Sequence, residues 1–210
     1  MIVWLEFGSR LILKSQSVMF RLFTSSPRLM FARTFIRFPT MLGSVIPSSR
    51  FLVNDLLNQI RWENARVIVE YGPGVGTITR EILKRMRPDA ELVAIELNDE
   101  FVTFLRNQIT DPRLHAVHAS ACEVRNVLLK ELGQPRADYI ISGIPYSTIP
   151  DAVRWEILEE SRQLLQPEGA LLLYQFTQTV LPYLRASFSD VKQSFQILNI
   201  MPARIFYCRP

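Results

Sequence analysis

The sequence predicts an α/β protein: a Rossmann-like, doubly wound sheet of seven strands, one of them antiparallel, behind an N-terminal amphipathic helical arm. Three observations predict it. Short apolar runs alternate with segments of helical periodicity along residues 66–187. A glycine-rich turn follows the first run, and an acid, Glu96, ends the second. The last two runs, 194–200 and 204–208, are joined by a short turn, which makes them a hairpin. The 210 residues divide into an arm, 1–38, and a single domain, 39–210.

The arm comes first. Glu6, Arg10, Lys14, Ser17 and Arg21 share one face of a helix, while Trp4, Phe7, Leu11, Val18 and Leu22 lie on the rest. Pro27 breaks this helix, and a second basic, apolar segment runs from Arg28 to Phe38. Residues 1–38 hold six of the 24 basic side chains but one of the 20 acids, leaving residues 39–210 close to neutral. A basic stripe beside a wide apolar face suits a helix lying in an anionic membrane interface. A helix packed on the domain and an Arg-rich transit peptide are the alternatives.

Pro47, Ser48 and Ser49 precede a helix starting near Arg50. The two hydroxyls can cap that helix or hold the carboxylate of a bound cofactor. The strands then follow in order at 66–71, 92–96, 114–117, 139–142 and 170–176, before the hairpin. Helices are predicted near 77–87, 99–109, 123–132, 151–166 and 178–187.

The turn Glu70-x-Gly72-x-Gly74-x-Gly76 selects the cofactor. Nicotinamide binders use G-x-G-x-x-G to seat a pyrophosphate on a helix N-terminus. An acid on the strand end would repel a pyrophosphate and suits a cofactor with an ammonium group and no phosphate, S-adenosylmethionine. Glu96, 20 residues after Gly76, can accept from both ribose hydroxyls. Leu97 follows it, and Ser120 and Ala121 follow the third strand, completing the expected adenosine site. Ser120 stands where an acid often accepts from the adenine amino group; its hydroxyl accepts more weakly.

After the fourth strand comes Ser142-Gly143-Ile144-Pro145-Tyr146-Ser147. A Pro-aromatic pair at a strand end can surround a nitrogen that becomes cationic with carbonyls and a ring face. The catalytic candidates are therefore Tyr146, Ser142 and Ile144, with Pro145 and Tyr146 against the acceptor. Ser142 also borders the cofactor. Arg50, or else Arg185, is the candidate for a phosphate on the acceptor. His115 and His118, both near the third strand, read as structural residues.

Composition excludes other classes. Two cysteines far apart, Cys122 and Cys208, form no disulfide framework and no structural metal site, and they fit a reducing compartment. No apolar run approaches the roughly 18 residues that span a bilayer.

FIRFPTMLGSVIPSSRFL, VEYGPGVGTITREIL, AIELNDEF, DPRLHAVHASA and ISGIPYSTIP occur in this order, and over residues 35–208 the chain resembles bacterial phospholipid N-methyltransferases. The resemblance implies a class I methyltransferase fold. It also implies conversion of S-adenosylmethionine to S-adenosylhomocysteine as phosphatidylethanolamine is methylated towards phosphatidylcholine. The expected partners are the phospholipid and, through residues 1–38, an anionic membrane surface, with neither nucleic acid nor metal. The expected place is the inner face of the bacterial cytoplasmic membrane. The rival family is that of the ribosomal RNA adenine dimethyltransferases, which would make the chain an RNA adenine N6-methyltransferase. They share the fold but carry N-[LI]-P-Y where this chain has Gly143-Ile144-Pro145-Tyr146. Gly143 offers no side-chain carbonyl to an adenine amino group. The hairpin ends the chain where those enzymes append an RNA-binding domain, and the near-neutral domain lacks a basic RNA channel.

Overall fold

A computed structural model describes residues 49–199 and 201–210. The arm over residues 1–38, and Ser48, lie outside the described residues. Seven strands form one sheet in the order β3-β2-β1-β4-β5-β7-β6. They are β1 (Val67–Tyr71), β2 (Glu91–Glu96), β3 (Leu114–His118), β4 (Ala137–Ser142), β5 (Leu165–Gln175), β6 (Asp190–Gln196) and β7 (Ala203–Arg209). Strands β1 to β5 are mutually parallel, and β7 runs antiparallel to both β5 and β6.

The order follows from burial. β1 is buried at all five positions, as a central parallel strand covered on both faces requires. Val69, Tyr71, Ile140, Leu173 and Phe206 face one core with α4 (Val124–Leu132), α5 (Asp151–Leu164) and α6 (Leu181–Ser187). Ile68, Leu92, Ile141, Leu172 and Ile205 face the other, covered by α1 (Arg50–Leu57) and α2 (Thr77–Arg85). Helix α3 (Asp99–Gln108) closes that side over β3 through Val102, Leu105 and Ala116. The chain leaves β3 at one edge and re-enters beside β1 as β4, so the switch point lies between the C-terminal ends of β1 and β4. There Gly143 donates its N–H to the Tyr71 carbonyl at 2.8 Å, and Gly72 donates to that of Ile95 at 2.9 Å.

The differences from the sequence expectation have local causes. Helix α5 stops at Leu164 and β5 starts at Leu165, because Gln166 precedes Pro167 and cannot stay helical. Helix α6 begins at Leu181 with Pro182 in its first turn, three residues later than predicted. Strand β6 spans Asp190–Gln196 rather than 194–200: it is an edge strand, exposed from Lys192 to Phe195, so no apolar alternation marks it. The apolar residues beyond it, Ile197 and Leu198, form the hairpin tip instead.

Candidate active site

The turn from β1 to α2 is the centre of the site. Gly72, Gly74 and Gly76 have φ of +68°, +55° and +79°, a region that L side chains adopt only with strain. At Gly76 space also forbids a side chain, since a Cβ would lie 2.7 Å from Leu105 Cδ2. Because α2 opens on Gly76, no side chain caps its first N–H groups.

Two carboxylates flank the turn in different surroundings. Glu70 is 1% exposed on the α2 face of β1 and accepts from the Thr79 hydroxyl at 2.7 Å. Burial raises its pKa from 4.5 to about 7, and the Glu96 charge adds to the rise. Glu96, at the end of β2, accepts from the N–H groups of Gly74 at 3.1 Å and Asn98 at 3.0 Å. Burial pushes its carboxyl up as well, and these backbone bonds work against the rise. Leu97 next to it is 65% exposed at the rim.

At the end of β3 the Ser120 hydroxyl accepts from Cys122 N–H, while the Glu123 carboxylate takes Ser120 N–H at 2.9 Å. This is a capping box for the short 3-10 turn Ala121–Glu123. A lone pair expected to serve adenine thus serves the backbone, and Ala121 is buried beneath. His118 bonds the Leu97 carbonyl at 3.0 Å, and His115 lies 2.9 Å from Glu91, both structural roles. Among the described residues no group of three or more His, Cys, Asp or Glu could hold a metal ion.

The loop after β4 differs from the sequence expectation. The sequence predicts that Tyr146 offers its ring or hydroxyl to the acceptor. In the structure both Tyr146 and Ser142 are fully enclosed, the Ser142 hydroxyl donating to Tyr146 Oη at 3.3 Å. Burial pushes the Tyr146 phenol well above its ordinary pKa. Ser142 also accepts, weakly, from Ile144 N–H. These two side chains brace the loop, and half-buried Ile144 and Pro145 form its surface. The reason is local: the 3-10 turn Tyr146–Thr148 rolls the ring back into the core beside Tyr71.

Three residues of the site escape sequence reasoning, two of them holding this loop. Gln175, at the end of β5, donates to the Ile144 carbonyl at 2.8 Å. Arg154 of α5, 4% exposed, donates to the carbonyls of Tyr146 at 2.9 Å and Ile149 at 3.0 Å. Thr79 orients Glu70. A polar Gln175 ending the apolar run ALLLYQ was a usable signal. Arg154 reads as an ordinary surface charge, so nothing marked it. Tyr174 brings its hydroxyl within 3.8 Å of the position a Cβ on Gly143 would take.

Ser49 caps α1 rather than presenting a free hydroxyl. It accepts from Leu52 N–H at 3.2 Å and donates to the Leu198 carbonyl at 2.8 Å, and its N–H donates to Asn199 Oδ1 at 2.9 Å. Arg50 is exposed, its guanidinium 4.9 Å from the Phe51 ring centre. Arg185 is exposed on α6.

The fold is that of human methyltransferase-like protein 13 in complex with S-adenosylhomocysteine, with a TM-score of 0.55 at 15% identity over 82% of this chain and 81% of that one. By fold and by family this protein is a class I, S-adenosylmethionine-dependent methyltransferase. The sequence model of the ribosomal RNA adenine dimethylase family matches residues 37–184, and the chain belongs to that family. The chain is 30% identical to the ornithine lipid N-methyltransferase of Singulisphaera acidiphila, over 86% of this chain and 94% of that protein. It is 27% identical to the ribosomal RNA small subunit methyltransferase A of Dehalococcoides mccartyi over 64% of this chain, and spans only 43% of that enzyme.

Proposed function

We propose that this methyltransferase N-methylates the amine of a membrane lipid, phosphatidylethanolamine and its mono- and dimethylated forms, towards phosphatidylcholine. The observation that carries the reading is the contact between the two central loops. A Cβ on Gly143 would lie 3.0 Å from the Gly72 carbonyl oxygen and 3.5 Å from that of Tyr71. The asparagine that RNA adenine enzymes place here would press on the turn. The likeness to an ornithine lipid enzyme along 94% of that protein supports a lipid acceptor and adds ornithine lipid to the headgroups to be tried. RNA adenine methylation is the second reading, favoured by the family model and by the likeness to ribosomal RNA small subunit methyltransferase A.

The residues present fit the cofactor. Glu96 would hold the ribose hydroxyls, Leu97 and Ala121 would border the adenine with Ser120 at its edge, and the glycine turn with Glu70 beneath it would hold the methionine half. When bound, S-adenosylmethionine supplies an electrophilic methyl on a cationic sulfonium. The protein's part is to position the amine and to let it lose its proton. A free alkylamine has a pKa of about 10, and burial beside a cation lowers it. The Ile144 carbonyl, fixed by Gln175, would accept from the amine and orient its lone pair. The site is expected on the inner face of the bacterial cytoplasmic membrane, with residues 1–38 docking on anionic lipid.

The test is methyl transfer from labelled S-adenosylmethionine to vesicles of phosphatidylethanolamine or ornithine lipid, and to unmodified ribosomal RNA. Methylated lipid, rising with anionic lipid content, is the expected outcome. Methylated adenine without methylated lipid would overturn the proposal.

A further inference from the structure

The tip of the β6–β7 hairpin lies at the same end of the sheet as the site. Gln175, which holds the Ile144 carbonyl, pairs with Arg204, and Arg204 pairs with Phe195. Beyond Phe195 the chain exposes Ile197, Leu198 and Met201. These four side chains are 55%, 66%, 56% and 44% exposed. Ser49 ties the start of α1 to Leu198 and Asn199, and the Gln196 side chain bonds Asp55, which brings Phe51, 40% exposed, to the same end. Single exposed apolar residues need no explanation, but five gathered at the site's end of the sheet do.

The charge around them is mostly positive. From Gln193 to Ile205 there is no Asp or Glu. The guanidinium of Arg204 sits 5.2 Å from the Phe195 ring centre, and that of Arg50 sits 4.9 Å from the Phe51 ring centre. The nearby acid, Asp55, is held by Gln196. Apolar tips flanked by arginines match an anionic leaflet, with hydrocarbon below and phosphates at the level of the cations. RNA would match the arginines and leave the isoleucine, leucine and methionine unused.

We propose that the hairpin tip, with Phe51, is a bilayer contact separate from residues 1–38. Phe51, Phe195, Ile197, Leu198 and Met201 enter the headgroup–acyl boundary, and Arg50 and Arg204 meet lipid phosphates. The lipid amine then reaches the Gly143–Tyr146 loop without its acyl chains leaving the bilayer. The inference rests on the lipid reading of the proposed function.

The full chain carrying Ile197→Glu and Leu198→Glu tests it. Binding is followed by cosedimentation with vesicles of phosphatidylethanolamine and phosphatidylglycerol. Turnover is followed on those vesicles and on short-chain phosphatidylethanolamine below its micelle concentration. Vesicle binding and vesicle turnover should fall about ten-fold, with cofactor binding and turnover on monomeric lipid unchanged. Unchanged vesicle binding, or equal losses on both lipid forms, would overturn the proposal; equal losses would mark the tip as a packing surface for residues 1–48 or a second copy. A gentler variant, Ile197→Trp, should gain fluorescence that brominated acyl chains quench, and an unquenched added indole overturns the proposal independently. If the parent chain binds vesicles but methylates neither lipid form, the function reading fails while binding and quenching still decide the tip.

Discussion

The two loops that meet at the switch point are built on opposite plans. The turn after β1 is made by its own residues: three glycines with positive φ, Thr79 nine residues from Glu70, and Glu96 at the adjacent strand end. The loop after β4 is held by side chains of the helix and strand around it. Gln175 reaches Ile144 across 31 positions, and Arg154 of α5 takes two of its carbonyls. A loop that stores its geometry locally can serve any methyltransferase. One braced by other elements can be reshaped for a new acceptor without disturbing the cofactor half.

Each expected effect breaks or sharpens that contrast. The largest concerns Glu70. Its carboxyl titrates at about 7 when folded and at 4.5 when exposed, so the folded state keeps a proton that the unfolded state releases. That stability is full below about pH 4.5 and is lost as pH rises through 7, by about 3 kcal/mol. Urea melts between pH 4.5 and 8 should show the decline, and Glu70→Gln should flatten it. A parent chain without this slope would mean that Glu70 stays charged in the fold.

Arg154→Ala comes next. It leaves two loop carbonyls without their donor, at about 2–3 kcal/mol of stability by urea melt. Turnover should fall while cofactor binding, followed by calorimetry, stays within about two-fold. A parallel loss of cofactor binding would show that the two loops are one unit.

Gln175→Leu removes the amide's bonds to the Ile144 and Tyr174 carbonyls; the loss at Ile144 should cost about 1 kcal/mol, read as a five- to ten-fold lower kcat with unchanged cofactor affinity. Tyr146→Phe is the smallest. The enclosed ring keeps its packing and loses a 3.3 Å bond to Ser142, so turnover should stay within about three-fold. A drop of a hundred-fold would place the phenol at the acceptor, as the sequence alone suggested.

Much of this architecture was legible in the sequence. The alternation of apolar runs and helical periods marked the seven strands and six of the described helices, because central parallel strands must be apolar throughout. Its errors fall where tertiary context outweighs local pattern: at the exposed edge strand β6, at Pro167 and at Pro182. In the site, Glu70, Glu96 and the glycines stand where the motif spacing puts them. Ser49, Ser120, Ser142 and Tyr146 are each turned towards the backbone or the core. A hydroxyl's partner depends on which backbone donors lie unfilled within about 3 Å, and spacing does not reveal that.

The sequence by itself therefore determined the fold class, the glycine turn and the carboxylate of the adjacent strand, since periodicity and backbone constraint act over a few residues. Only the tertiary structure decided the raised pKa of Glu70, the burial of Tyr146, the clamps from Arg154 and Gln175, and the apolar tip beside the site. Each of these depends on what packing brings to within a few ångströms, where desolvation and hydrogen bonding are set.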